Sequence, residues 1–291
     1  MAGLAADVKA NAVPRVTVYI PTKNRPELLT RAVSSCLSQT MADFELIIVD
    51  DGSLPECQQK LQDLATSDSR IRLFCLANSQ GACVARNLAI AHAQAEYITG
   101  LDDDDEFLPN RLEQLLQAIT EQPGVSFVSS AYQIKTRRGR LLQSNAGARR
   151  ITLDDLLFSN IVGNQVLTRT QYLREIGGFD PELRSCQDYD VWIRLAYQFG
   201  AGLRISAATY RIRLDHEAPR ISNSLQRRQG YLRLYAKHQH LMSEQQKVSQ
   251  QFFLLLYTEK PGLVEILRKV PRQKIFVALK VYLLRKIGYD I

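Results

Sequence analysis

The chain has 291 residues, 45% hydrophobic and 23% charged, with a formal net charge of +7. That balance and length fit a globular protein with one large domain, or one domain with an appendage, and a core that needs no staples. The five cysteines (Cys36, Cys57, Cys75, Cys83 and Cys186) are odd in number and form no CxxC pair, which argues against a disulfide framework and a zinc site and for free thiols in a reducing compartment.

Residues 1–13 have neither an apolar stretch nor a basic cluster, so no signal peptide is expected. No run approaches the roughly 18–20 apolar residues of a spanning helix. The expected location is the cytoplasm. The positive balance favours anionic partners, among them nucleotide phosphates, nucleic acid or an anionic membrane surface.

Strand and helix signals alternate through the first half. Arg15–Ile20 is a β-branched run ended by Pro21, and Pro26–Gln39 is a helix with Leu28, Leu29, Ala32, Val33, Cys36 and Leu37 on one face. Phe44–Val49 is a second strand, closed by Asp50-Asp51-Gly52-Ser53, and a helix follows around Cys57–Leu64. Ile71–Leu76 is a third strand, Ala82–Ala93 an alanine-rich helix, and Glu96–Leu101 a fourth strand running into Asp102–Asp105. Leu112–Ile119 is helical again.

Beyond it, Val125–Lys135 and Gln165–Thr168 read as strands, 177–181 as a loop, Tyr189–Phe199 as a helix and Leu203–Leu214 as a strand. From about Asn223 the chain is helical and basic, broken near Pro261 and Pro271. The pattern predicts an α/β fold with a mostly parallel sheet between helices and a helical C-terminal extension. Such sheets bind ligands beyond the carboxyl ends of their strands. Three polar clusters fall there: Pro21–Arg25, Asp50–Ser53 and Asp102–Asp105.

Each cluster has two readings. Four adjacent carboxylates at Asp102–Asp105 repel one another, and a hard divalent cation such as Mg²⁺ or Mn²⁺ would compensate them; a solvated loop or caps for the next helix is the alternative. Asp50 and Asp51 can accept from a nucleobase or a ribose, or simply close the turn that Gly52 permits. Gly81 opens a helix whose N-terminus can face an anion, with Arg86 one turn in; Arg86 could equally make a surface ion pair. Asp188, in Gln187-Asp188-Tyr189-Asp190, is either a general base or a helix cap.

Taken together, in this order and spacing, the stretches VTVYIPTKNRPELLTRAVSSCLSQT, FELIIVDDGS, NSQGACVARNLAIAHAQAEYITGLDDDDEFLPNRL and GGFDPELRSCQDYDVWIRLA resemble the family 2 glycosyltransferases, over about Val16 to Ala196. The resemblance implies a GT-A fold and an inverting, metal-dependent hexosyltransferase of the bacterial cell-surface polysaccharide type (O-antigen, capsule or lipopolysaccharide). Its donor would be a nucleotide sugar, typically UDP-linked, and its acceptor a saccharide or lipid-linked saccharide. Pro21, Thr22, Asn24 and Arg25 would line the nucleotide pocket, with Asp51 and Asp50 at the base, Gly81 and Arg86 near the nucleotide, and Asp102 and Asp103 toward ribose and sugar. Asp104, with Asp102, would hold Mg²⁺ or Mn²⁺, and Asp188 matches the catalytic base. Lys23 stands where many relatives carry an aromatic, and Gln187 where a glutamate is common. His216 falls where relatives often have a loop closing over the diphosphate.

The resemblance sets expected boundaries: a catalytic unit over 14–220, with a nucleotide half 14–122 and an acceptor half 123–220, and a basic helical region over 221–291. In the last, Arg268, Lys269, Arg272, Lys274, Lys280, Arg285 and Lys286 interleave with apolar residues, as in a helix lying on an anionic membrane or one packed on the domain. Two alternatives stand beside the main reading: transfer to a polyprenyl phosphate, and a nucleotide- or metal-binding relative without turnover. No recognised nucleic-acid motif is present, and no nucleic-acid partner is expected.

Overall fold

The computed structural model describes residues 13–144, 147–163, 165–216, 224–255 and 262–270, with positions 275, 278, 279, 282 and 283 beyond them. The first half runs β1 (Val16–Thr22), α1 (Pro26–Leu37), β2 (Phe44–Asp50), α2 (Pro55–Thr66), β3 (Ile71–Cys75), α3 (Ala82–His92), β4 (Tyr97–Gly100), β5 (Glu106–Phe107) and α4 (Arg111–Glu121). The second half adds β6 (Phe127–Lys135), β7 (Leu141–Gln143), β8 (Arg149–Ile151), α5 (Leu153–Phe158), β9 (Leu167–Arg169), α6 (Thr170–Glu175), α7 (Gln187–Phe199) and β10 (Gly202–Arg213). Three helices follow: α8 (Ser224–His238), α9 (Glu244–Leu254) and α10 (Leu263–Lys269).

The central strands are apolar on both faces because helices cover both. Val16, Val18, Ile20, Leu46 and Ile48 pack with α1, α2 and α4. The alternate residues Tyr19, Ile47, Val49 and Ile98 pack with α3, α5 and α7 around the fully buried Trp192. Period-two alternation thus assigns each strand residue to one of two cores.

The sheet order is β3-β2-β1-β4-β9-β6-β10-β5, with β7 on β6 and β8 on β10. Strands β1 to β4 pair in parallel, and β6 pairs in parallel with β10. β9 lies antiparallel between β4 and β6 and joins the two halves into one sheet. The expected α/β architecture is present, with an antiparallel strand at its centre.

Boundaries differ from the sequence reading where distant partners decide them. α2 starts at Pro55, a residue suited to a helix's first turn, and not at Cys57. β9 is Leu167–Arg169, displaced toward the partners Tyr97–Thr99. The short elements β5, β7, β8, α5 and α6 carry too little periodicity to be read in advance. Pro261, Pro271 and all of the basic residues from Arg272 onward lie outside the described residues.

α8 and α9 are built onto the second half. Lys237 Nζ lies 2.8 Å from Asp180 and 3.0 Å from Asp190, and His238 Nε2 lies 2.8 Å from Asp190 Oδ1. Gly230 lets α8 press against the turn before α7, since a Cβ there would sit 2.5 Å from the Ser185 carbonyl oxygen. In α9, Gln250 Nε2 donates to the Leu157 carbonyl (2.7 Å) and the Tyr189 hydroxyl (2.8 Å).

Candidate active site at the carboxyl ends of the strands

β4 ends where Gly100 passes Tyr19 and Gln165 so closely that a Cβ would lie 2.3 Å from Gln165 Oε1. The acidic turn follows and splits two and two. Asp103 points inward, accepting from Thr22 Oγ1 (2.8 Å) and Arg25 Nη1 (3.2 Å). Asp105 also points inward, accepting from Tyr210 Oη (2.9 Å) and Arg213 N (2.9 Å). Burial raises both carboxyls, Asp103 to about 6 and Asp105 well above the usual range. Compensation for these two comes from the protein, through Thr22, Arg25, Tyr210 and Arg213.

Asp102 and Asp104 retain more exposure. Asp102 Oδ1 accepts from Arg86 Nη2 (3.0 Å) and Gln165 Nε2 (3.4 Å). Asp104 Oδ2 lies 3.4 Å from Arg25 Nη1 and 3.6 Å from His216 Nε2. None of the four caps α4, whose N-cap residue is Asn110.

The loop after β1 is fastened to the turn after β2. Asn24, at φ 54, donates its N–H to Ser53 Oγ (2.8 Å) and accepts from Leu54 N (2.8 Å) through Oδ1. Asp50 is fully buried and accepts from the backbone and hydroxyl of Ser53. Its carboxylate serves the turn in this structure. Asp51 reaches across to the next loop and accepts from Ser79 Oγ (2.8 Å), Gln80 N (2.7 Å) and Gly81 N (3.0 Å). Gly52, at φ 69, allows that approach, because a Cβ would sit 2.6 Å from Ser79 N. The Ser79 hydroxyl is the one donor that can rotate away and leave an Asp51 oxygen to a ligand.

Arg86 is 5% exposed in α3, with its guanidinium 5.2 Å from the centre of the Phe179 ring. Burial lowers its pKa, but Asp188 and Asp102 more than offset this and hold it above its usual value. Phe179 is held by a paired clamp: Asn87 Nδ2 donates to its carbonyl and Asn87 Oδ1 accepts its N–H, each at 2.7 Å. Arg194 fixes the same loop by donating to the carbonyls of Ile176 and Gly178 at 2.6 Å, and is itself paired with buried Asp190.

Cys186, at φ 61, precedes α7 as its N-cap without a side-chain cap bond, and Asp188 follows in the first turn. Asp188 is therefore not the cap. Its Oδ1 is sealed from solvent and has no hydrogen-bond partner among the described residues, as do Arg86 Nε and Nη1 and His216 Nδ1. Buried polar atoms are almost always paired, so a cluster of unpaired ones marks a place for a ligand. Burial pushes the Asp188 carboxyl up to about 7; Arg86 pulls it down and Asp102 pushes it further up.

The structure thus gathers Thr22, Arg25, Asp102, Asp103, Asp104 and His216 through direct contacts, and links Arg86 and Asp188 to them through Asp102. Pro21 lies in β1, paired with Val49 of β2. Gln165, Tyr19 and Phe179 were not anticipated as part of this network. Tyr19 Oη donates to Gln165 Oε1 at 3.4 Å, so Gln165 bridges β1 to Asp102. Buried Arg111 holds the Gln165 backbone, donating from Nη2 to its carbonyl at 3.2 Å. Nothing in the sequence around Gln165 marks it except a polar residue beside an apolar strand.

Two outward carboxylates beside an imidazole with an unpaired nitrogen are a donor set that suits a hard or borderline divalent cation. Among the described residues no three acidic, histidine or cysteine groups converge to enclose a metal by themselves. That fits a cation which also takes ligands from a substrate phosphate.

A mostly parallel sheet flanked by helices, with an acidic turn beyond its strand ends, is the architecture of the GT-A glycosyltransferases. A profile described as "Glycosyl transferase family 2" matches residues 17–177, and the chain belongs to that family. It is 34% identical over 250 residues to WcaA of Escherichia coli K12, a glycosyl transferase named for colanic acid biosynthesis, covering 83% of this chain and 87% of the relative. It is 32% identical to TuaG of Bacillus subtilis 168, named for teichuronic acid biosynthesis, covering 69% and 81%. Staphylococcus aureus TarS 1-349 in complex with UDP-GlcNAc superposes with a TM-score of 0.68 at 18% identity, over 93% of this chain and 81% of that one. A Pyrobaculum calidifontis mannosyltransferase in complex with GDP-Man and Mn²⁺ gives 0.61 at 17% identity, over 97% and 77%. At these identities the two structures speak for the fold.

Proposed function

We propose that this protein is an inverting glycosyltransferase that moves a hexose from a nucleotide sugar, UDP-linked, to a hydroxyl of a saccharide or lipid-linked saccharide in cell-surface polysaccharide synthesis. The observation that carries the reading is the Asp188 carboxylate: its Oδ1 is buried and unpaired among the described residues, and burial raises its pKa against the pull of Arg86. The names of WcaA and TuaG support the pathway class, and the UDP-GlcNAc complex of TarS supports the donor class.

In this mechanism the nucleotide lies over Pro21, Thr22 and the Asp51 turn, with Gly81 at the opening of α3. Arg86, held charged, faces negative charge as it develops on the departing diphosphate. Asp188 takes the proton of the acceptor hydroxyl as that oxygen attacks the anomeric carbon from the side opposite the leaving group, which inverts the configuration. Asp104 and Asp102, with His216 beside them, would hold Mg²⁺ or Mn²⁺; when bound, the cation supplies positive charge to the diphosphate. The catalytic unit spans 14–220 and works on the cytoplasmic face of the membrane, where α8 and α9 brace it.

The test is a donor panel (UDP-Glc, UDP-Gal, UDP-GlcNAc, UDP-GalNAc and GDP-Man) with manganese, scored by release of nucleoside diphosphate. One donor should be cleaved, and Asp188→Asn should lose turnover while keeping nucleotide affinity. Wild-type protein that binds none of the donors would end the proposal.

A further inference from the structure

The hairpin leaving the sheet at the end of β6 takes no part in the site described above. β7 pairs with β6 through Gln133↔Gln143, Ile134↔Leu142 and Lys135↔Leu141. Thr136 N donates to the Arg140 carbonyl (2.9 Å) and Gly139 N to the Thr136 carbonyl (2.8 Å) to close the turn. The tip carries Arg137, Arg138 and Arg140, all exposed and without an ion pair among the described residues. Leu141 and Leu142 follow immediately, 53% and 41% exposed.

The root of this arm touches the segment that borders the acidic turn. The Lys135 carbonyl accepts from Leu214 N at 2.8 Å, and Lys135 Nζ lies 3.5 Å from Asp215 Oδ2. The next residue, His216, reaches Asp104. β6 runs in the direction of β1 and β4, so the arm projects from the side of the sheet where the site opens.

We propose that the 136–143 hairpin docks on an anionic bilayer surface and holds the mouth of the site against it. Three unpaired guanidinium groups match a layer of anionic headgroups. The two adjacent leucines distinguish this partner from a soluble polyanion: an interface accepts apolar side chains below its charged layer, and a hydrated sugar chain does not. The purpose of the contact, access to a lipid-linked acceptor, rests on the function proposed above; the contact itself does not.

The test uses the full chain in co-sedimentation with vesicles of phosphatidylcholine containing about one-third phosphatidylglycerol, against pure phosphatidylcholine, at about 0.1 M salt. Wild type should partition onto the anionic vesicles only. The triple variant Arg137→Gln, Arg138→Gln, Arg140→Gln should lose roughly hundredfold in partition coefficient, at about 1 kcal/mol per arginine and 1.36 kcal/mol per tenfold. Leu141→Ser with Leu142→Ser should lose several-fold at unchanged net charge. The proposal is overturned if the triple variant binds within about twofold of wild type. It is likewise overturned if neutral vesicles bind equally well, or if a soluble polyuronate is bound and vesicles are not. Donor cleavage in solution should be equal in all three proteins; its absence from wild type would count against the proposed function and leave the vesicle result standing.

Discussion

Burial keeps the Asp188 carboxyl near pKa 7, and that shift has consequences for both rate and stability. A general base works ionised, so turnover should rise with pH to a plateau above about 7. Arg86 pulls this pKa down, so Arg86→Gln should move the acidic limb to higher pH as well as lower the plateau, which a kcat–pH profile would show. Asp188→Asn should cost about 10²–10⁴ in kcat. The folded-state pKa lies above the unfolded one, so ionising Asp188 destabilises the fold progressively as pH rises from about 4 to about 7. Asp188→Asn should therefore raise the melting temperature at about pH 8, and the gain should vanish by about pH 4; an equal gain at both would contradict the assignment. In the acidic turn, Asp104→Asn should cost on the order of a hundredfold in turnover. Asp105→Asn, whose side chain accepts from Tyr210 and Arg213, should cost no more than about tenfold. The sequence placed all four carboxylates at a strand end, but only the family resemblance assigned them separate roles, and neither showed that Asp103 and Asp105 turn inward. The sorting depends on Thr22 and Tyr210, partners 81 and 105 residues away in the chain.

Among the elements, the loop before α7 shows how local rules and distant contacts divide the work. Gly177 and Gly178 both have positive φ, but a Cβ on Gly177 would meet open space while one on Gly178 would lie 2.3 Å from Asn87 Oδ1. Gly177→Ala should cost about 1 kcal/mol from backbone strain alone. Gly178→Ala should cost more, about 2–4 kcal/mol, because it also breaks the Asn87 clamp; denaturant melts of the two variants would separate the terms. The strands β1 to β4 were legible because burial on both faces leaves long β-branched runs, and α1, α3 and α7 because their apolar faces recur at helical spacing. β5, two residues long, exists only through its register with Tyr210 and Arg211. β8 exists only through its pairing with Gly202–Arg204. No local pattern announces either. Gln165 was missed for the same reason: its importance comes from Tyr19 and Asp102, which the fold brings to it.

At the scale of the molecule, the C-terminal helices α8 and α9 pack on the second half of the fold. Asp190 is fully buried and shared between Arg194, Lys237 and His238, the last two contributed by α8. Those contacts hold its carboxyl down near 2 despite burial. A chain ending at 220 would lack the Lys237 and His238 partners of Asp190. Such a truncation should lower the unfolding free energy by about 3 kcal/mol or more, read as a lower melting temperature or as insolubility on expression. The reading of a helical region holds at α8, α9 and α10, where residues are described, and the charge of the region drew attention to a membrane. It could not show that α8 presses on the Ser185 turn, because the glycine that permits this looks like any other glycine in a helix.

β9 has one more implication, for anyone wishing to exchange specificities between relatives. A donor module and an acceptor module joined near residue 122 would seem interchangeable, yet the strand flanking β4 is supplied by residues 167–169, through Tyr97↔Arg169, Ile98↔Thr168 and Thr99↔Leu167. Any graft of the later half brings its own β9 to a foreign β4. Hybrid enzymes should therefore succeed only where parents agree at those three pairs, or where the crossover points leave both strands from the same parent.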